Sequence, residues 1–143
     1  MGIRFKARWV IHKGSVMKKQ TIAIVGLGKV GAAFLEELLG QPNQSVEIVA
    51  VVENNNTAGL ALAKARGIAR LTLDELIAMG DELDILFELT NVVAVRHELR
   101  DKLRVAENHH TIIATENIAR MIWMLISSGA EMPGAHPQTG YDA

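Results

Sequence analysis

Residues 21–34 read TIAIVGLGKVGAAF. An apolar run stops at Gly26, and further glycines follow at Gly28 and Gly31 before a stretch with helical spacing. Continuous apolar residues suit a strand covered on both faces of a parallel sheet. Glycine adopts backbone conformations that strain other residues and permits close approach, so three of them at a strand-to-helix junction imply a tight, crowded turn. A strand that turns at once into a helix is the first half of a β-α-β unit. The rest of the chain is then expected to alternate strands with helices.

It does. KVGAAFLEELLG places Val30, Phe34 and Leu38 on one helical face and stops at Gly40. After a QPNQ turn, VEIVAVVE reads as a second strand, AGLALAKAR as a short helix closed by Gly67, and residues 68–71 as a brief third strand. Thr72 and Glu75 have the spacing of a capping box, opening a helix that ends at Gly80. DILFELT is a fourth strand. Residues 92–106 form the next helix, with Val95, Leu99 and Leu103 inward and the charges outward. HTIIATE is a fifth strand, and a last helix covers roughly 118–127. The pattern predicts an α/β fold: a single doubly wound parallel-sheet domain of the Rossmann type, about five to six strands with helices on both faces.

Within that fold the glycines acquire separate tasks. Gly26 admits the turn, Gly28 lets backbone approach a pyrophosphate, and Gly31 lets the helix pack close to the strand. The amides and dipole at the start of the helix then face the phosphates, and Leu27, Lys29 and Val30 complete the candidate cradle. Glu53 ends the second strand, 22 positions after Gly31. A carboxylate there accepts hydrogen bonds from the adenosine ribose and repels a 2′-phosphate. The following Asn54, Asn55 and Asn56 bring no arginine to bind one. NAD is therefore favoured over NADP, with FAD and S-adenosylmethionine as more distant alternatives.

Composition narrows the class further. The chain has 143 residues, a net charge of −1 and no cysteine. Disulfides, thiolate metal sites and cysteine nucleophiles are excluded, and no global charge points to nucleic acid. No apolar run reaches the roughly 18–20 residues of a membrane span, so the cytoplasm is the expected location. Residues 1–19 contain six Lys or Arg and no acid. A membrane-surface or nucleic-acid arm is one reading. A disordered leader ahead of an alternative start at Met17 is the other, and the favoured one. The expected organisation is a basic leader over 1–19, a nucleotide-binding domain over 20–128 and a flexible tail over 129–143.

Gly26, Gly28, Gly31, Glu53 and the strand DILFELT running into Asn91 resemble the amino-terminal NAD(P)-binding domain of the homoserine dehydrogenase, aspartate dehydrogenase and dihydrodipicolinate reductase group. The resemblance covers residues 20–128. It implies that the loop after the fourth strand, with Leu89, Thr90 and Asn91, packs against the dinucleotide. DILFELTNVVAVRHEL with HHTIIATENIARMIWMLI also resembles small Rossmann modules attached to bacterial signalling proteins, including sensor histidine kinases. Asn91 stands where that pattern has glycine, whereas Ala119, Arg120 and Trp123 agree with it. The dehydrogenases of the first group carry substrate and catalytic residues in a second domain, and the fifteen residues after Ser128 are too few for one.

No catalytic or metal-binding residue is expected within the chain. His109 and His110, as neighbouring strand residues, point to opposite faces, and His97 lies on a charged helix face. Glu88 interrupts an apolar strand and needs a partner. It either reaches a ribose or anchors a neighbouring loop. Glu116 and Asn117, at the end of the fifth strand, are placed to meet a ligand or to cap the last helix. That helix is apolar almost all round, with Ile118, Met121, Ile122, Leu125 and Ile126 on one stripe and Trp123 and Met124 on another. A homodimer formed partly through it is one expectation, core burial the other. Two functions follow. One is a stand-alone NAD/NADH-binding module that senses or regulates through a signalling partner. The other is the NAD-binding part of an amino-acid-type oxidoreductase whose substrate domain lies elsewhere, on a catalytic partner chain.

Overall fold

The computed structural model describes residues 9–12, 15–42, 45–127 and 131–134. Two short strands, β1 (Trp9–His12) and β2 (Ser15–Lys18), form an antiparallel sheet of their own with Trp9 opposite Lys18. They fall inside the segment read as a disordered leader. Trp, Val and Ile favour extended backbone, a signal masked by the excess of basic residues around them. Residues 1–8 lie outside the described residues.

The main sheet is parallel throughout. Its strands are β3 (Gln20–Val25), β4 (Val46–Val52), β5 (Ala69–Arg70), β6 (Ile85–Glu88) and β7 (Ile112–Ala114), in the order β5-β4-β3-β6-β7. The helices between and after them are α1 (Lys29–Leu39), α2 (Ala58–Ala65), α3 (Leu73–Ile77), α4 (Val93–Val105) and α5 (Glu116–Ile126). The chain starts the sheet at its centre with β3, builds outward through β4 and β5, then crosses back to β6. The carboxyl ends of β3 and β6 therefore flank a topological switch point, where open α/β sheets bind ligands.

Alternate residues of β3 feed two apolar layers. Ile22 and Ile24 join Phe34 of α1, Leu60 of α2 and Trp123 of α5, while Ala23 and Val25 join Leu76 of α3 and Leu99 of α4. The rings of Phe34 and Phe87 lie 4.8 Å apart, tilted by 58°, tying α1 to the middle of β6. Thr72 and Glu75 form the expected capping box, each side chain meeting the other's backbone N–H, at 3.1 and 2.9 Å.

Several features differ from what the sequence predicts. Strand β6 ends at Glu88, so Leu89 and Thr90 belong to the loop above the sheet. In α4 the buried positions are Arg96, Leu99 and Leu103, so one of the charges assigned outward is inside. Helix α5 begins at Glu116 and presents Glu116, Ala119 and Trp123 inward. Trp123 is 9% exposed and belongs to the core, whereas Leu125 is 76% exposed and shares the outer face with Ile118, Met121 and Met124. Of the two expectations for this helix, core burial is the one that holds for Trp123. Positions 116, 119 and 123 follow the helical period that touches the sheet, and the stripe through 118, 121 and 125 is rotated away from it. The segment read as a flexible tail contains a core residue too, since Met132 is 2% exposed and packs with the layer of α1 and α5.

Candidate functional site

A cleft of about 760 Å³ opens over the carboxyl ends of β3, β4 and β6. Its floor is the glycine turn. Gly26 has φ +99°, a region glycine tolerates, and its N–H bonds to the Val52 carbonyl at 2.9 Å, so the turn continues the β3–β4 ladder before breaking away. A Cβ on Gly31 would stand 1.9 Å from the Gly26 carbonyl oxygen, so α1 and the turn are already in contact. Gly28 differs. It is the exposed N-cap of α1, no side chain caps it, and a Cβ there would meet nothing within 4 Å. The first turn of α1 thus presents bare backbone amides to the cleft, with Gly28, Lys29 and Val30 along its wall. That is the geometry an anionic pyrophosphate needs.

Glu53 stands at one end of the cleft beside Asn54 and Asn55. Its Oε1 accepts from the Leu27 N–H at 2.7 Å and its Oε2 from the Asn55 N–H at 3.0 Å. The carboxylate therefore pins the glycine turn to the end of β4, a role that its sequence position did not reveal. A carboxylate has about four acceptor positions, which leaves capacity for ribose hydroxyls. Arg70 stands close by, its Nε donating to the Glu53 carbonyl at 2.9 Å. Asn54, Asn55 and Asn56 supply no arginine beside Glu53, but β5 brings one from 17 positions away.

The opposite wall comes from the loop after β6. Leu89 and Thr90 line the cleft, and the Leu89 N–H bonds to the Val25 carbonyl at 2.8 Å. Asn91 has φ +55°. This left-handed conformation accounts for a glycine in the related pattern, and asparagine is among the side chains that tolerate it. Glu88 lies beneath, fully buried, paired with Arg96 and bonded to Thr90. Of its two readings, the loop anchor is the one the geometry supports.

Of the proposed cofactor residues, Gly26, Gly28, Lys29, Val30, Glu53, Asn54, Leu89 and Thr90 line the cleft. Leu27 and Gly31 are buried beneath it, and Asn91 is exposed outside its lining. Glu116 does not reach it. Because α5 starts there, its carboxylate turns to the core side and accepts from Arg120 at 3.1 Å. At the rim, Lys102 of α4 bridges to Asp74 of α3 at 2.6 Å and to Glu98 at 3.6 Å. The Asp74 hydrogen bond raises the Lys102 ammonium above its ordinary value. Only the Glu98–Lys102 spacing is visible in sequence. Leu73, Val92 and Val95 supply apolar lining near this rim, and Gly134 closes in above Lys29.

His110 lies in the loop before β7, not in the strand, and its Nε2 meets Asp84 Oδ1 at 2.6 Å. Burial pushes the Asp84 carboxyl up, but the Thr21 N–H, His110 and Lys18 outweigh it and hold the group below its ordinary value. This pair sits at the amino end of the sheet, away from the cleft. Among the described residues no group of three His, Asp or Glu is arranged to hold a metal, and no helix is long and apolar enough to cross a membrane.

Residues 26–117 match the model of a family described as homoserine dehydrogenase, NAD binding domain. The chain belongs to this family. As a homoserine dehydrogenase-type domain it is a dinucleotide-binding Rossmann module. It is similar in fold to S. aureus homoserine dehydrogenase, at 16% identity and a TM-score of 0.52, over 77% of this chain and 30% of that one. Homoserine dehydrogenase from Thiobacillus denitrificans is 23% identical over 79% of this chain and 27% of that one, at a TM-score of 0.47. Scyllo-inositol dehydrogenase from Lactobacillus casei, solved with NAD(H) and scyllo-inositol, is 16% identical over 68% and 36%, at 0.43. No curated protein matches. The chain spans about a third of the length of these solved dehydrogenases or less.

Proposed function

We propose that this domain holds NAD(H), with the pyrophosphate over Gly26–Val30 and the adenosine ribose on Glu53, and acts as a binding module that reports nucleotide occupancy to a partner. The observation that carries the reading is the uncapped start of α1 at Gly28, open to a cleft of the size small-ligand sites have. Glu53 at one end disfavours a 2′-phosphate, and the Leu89–Asn91 loop at the other end receives the nicotinamide half. Partnering follows from α5: the exposed stripe of Ile118, Met121, Met124 and Leu125 pairs two copies of the chain.

A second reading has an observation of its own. The solved relatives are about two to three times as long, so the domain suits an oxidoreductase of the amino-acid type whose substrate groups lie beyond the described residues. Calorimetry with NADH, NADPH and FAD tests nucleotide choice. Micromolar NADPH binding without NADH binding overturns the first part and assigns Arg70 to the phosphate. Incubating the chain alone with NAD and homoserine or aspartate tests the rest. Sustained NADH formation replaces the module reading with the enzymatic one.

A further inference from the structure

Glu88 closes β6 with no exposure to solvent. A carboxylate in such a place is strongly unfavourable unless a counter-charge and donors surround it. Its Oε2 stands 3.3 Å from Arg96 Nη2, and Arg96 is itself 2% exposed. Its Oε1 accepts from the Thr90 N–H at 3.1 Å and from the Thr90 hydroxyl. Thr90 Oγ1 in turn accepts from the Val92 N–H at 3.0 Å. The loop is also fixed from the other side. A Cβ on Gly26 would stand 2.8 Å from both Cγ2 and N of Thr90, so the loop already touches the phosphate turn.

The consequence is one of polarity. Threonine has two donors, its N–H and its O–H, and both are directed at Glu88. Thr90 lines the cleft, and with both donors used the side-chain capacity it retains is a lone pair on Oγ1, an acceptor. We propose that Glu88, held by Arg96, is a positioning residue that makes Thr90 an acceptor-only contact for the nicotinamide half of the dinucleotide. The ligand groups it takes are donors, the carboxamide N–H or a ribose O–H. This rests on the NAD(H) reading above and adds a direction to one of its contacts.

The test compares NADH with ADP, which carries adenosine and pyrophosphate but no nicotinamide half. Affinities are measured by calorimetry, and the environment of bound NADH by its fluorescence, for the full chain and for Thr90→Ser, Thr90→Val and Glu88→Gln. Thr90→Val is expected to bind NADH about tenfold more weakly while ADP stays within about twofold of wild type, the loss of one hydrogen bond. Thr90→Ser, which keeps the hydroxyl, stays within about threefold for NADH. Glu88→Gln follows Thr90→Val and alters the NADH emission, because either orientation of the amide sets its NH2 against a donor, Arg96 Nη2 on one side or the Thr90 N–H on the other, and the fixed direction of the Thr90 hydroxyl is lost. If Glu88→Gln fails to fold, the two Thr90 variants decide. Parallel losses for NADH and ADP, or unchanged NADH binding by Thr90→Val, overturn the proposal. A wild-type chain that binds neither ligand overturns the NAD(H) reading itself, which is a distinct outcome.

Discussion

Gly31→Ala adds one methyl group, yet it should be far more damaging than a larger change at Gly28. At Gly31 the new Cβ would lie 1.9 Å from the Gly26 carbonyl oxygen and 2.9 Å from its carbon. Both are backbone atoms of a turn held by the Val52 carbonyl, so no flexible side chain can give way. Helix α1 would have to lift off β3 by more than 1 Å, roughly the gap to an ordinary contact. Overpacking of this kind costs about 3–4 kcal/mol at its upper end, and the better helix propensity of alanine returns about 1 kcal/mol. A net loss of about 2–3 kcal/mol is a large share of the ~5–15 kcal/mol that holds a domain folded. For a domain of this size it lowers Tm by roughly 8–15 °C. At Gly28 a side chain meets nothing within 4 Å. Gly28→Val should cost only about 0.5–1 kcal/mol for the altered N-cap, while filling the space assigned to the pyrophosphate and weakening NADH by at least about tenfold. Thermal melts and calorimetry on the two variants separate the effects. A Gly31→Ala chain as stable as wild type, or a Gly28→Val chain that unfolds, would refute the assignment of the two glycines.

Three further outcomes are expected. Trp123→Glu should unfold the domain or lower its Tm sharply, because it places a charge in the core, whereas Leu125→Glu should leave the melt within about 0.5 kcal/mol of wild type and shift any dimer seen by light scattering toward monomer. Asp84 has a carboxyl held below its ordinary value, so the stability it contributes is present at neutral pH and is lost as pH falls below about 4 and through the folded-state value; Asp84→Asn should flatten that part of the stability–pH curve, and an unchanged acid limb would sink the assignment. Thr72→Ala removes half of the capping box and should cost about 1 kcal/mol in urea unfolding.

The sheet, the helices around it and the glycine cradle were legible because each rests on local rules. Apolar runs, the helical period of α1 and the spacing of Thr72 and Glu75 act over a few residues and need no knowledge of the rest of the chain. Even the left-handed turn at Gly26 is announced by the residue type that tolerates it. What only the tertiary structure decided are the contacts between distant positions. Glu53 meets Leu27 across 26 residues and Lys102 meets Asp74 across 28, and neither pairing has a sequence period to betray it. Arg96 reads as one more charge on a solvated helix until Glu88, on the strand below, makes its burial favourable. Helix α5 is apolar on both stripes, so its composition could not say which one the sheet would cover. Packing chose the face of Ala119 and Trp123, because a helix buries the side that its entry from β7 turns toward the sheet, and the stripe ending at Leu125 was left outside.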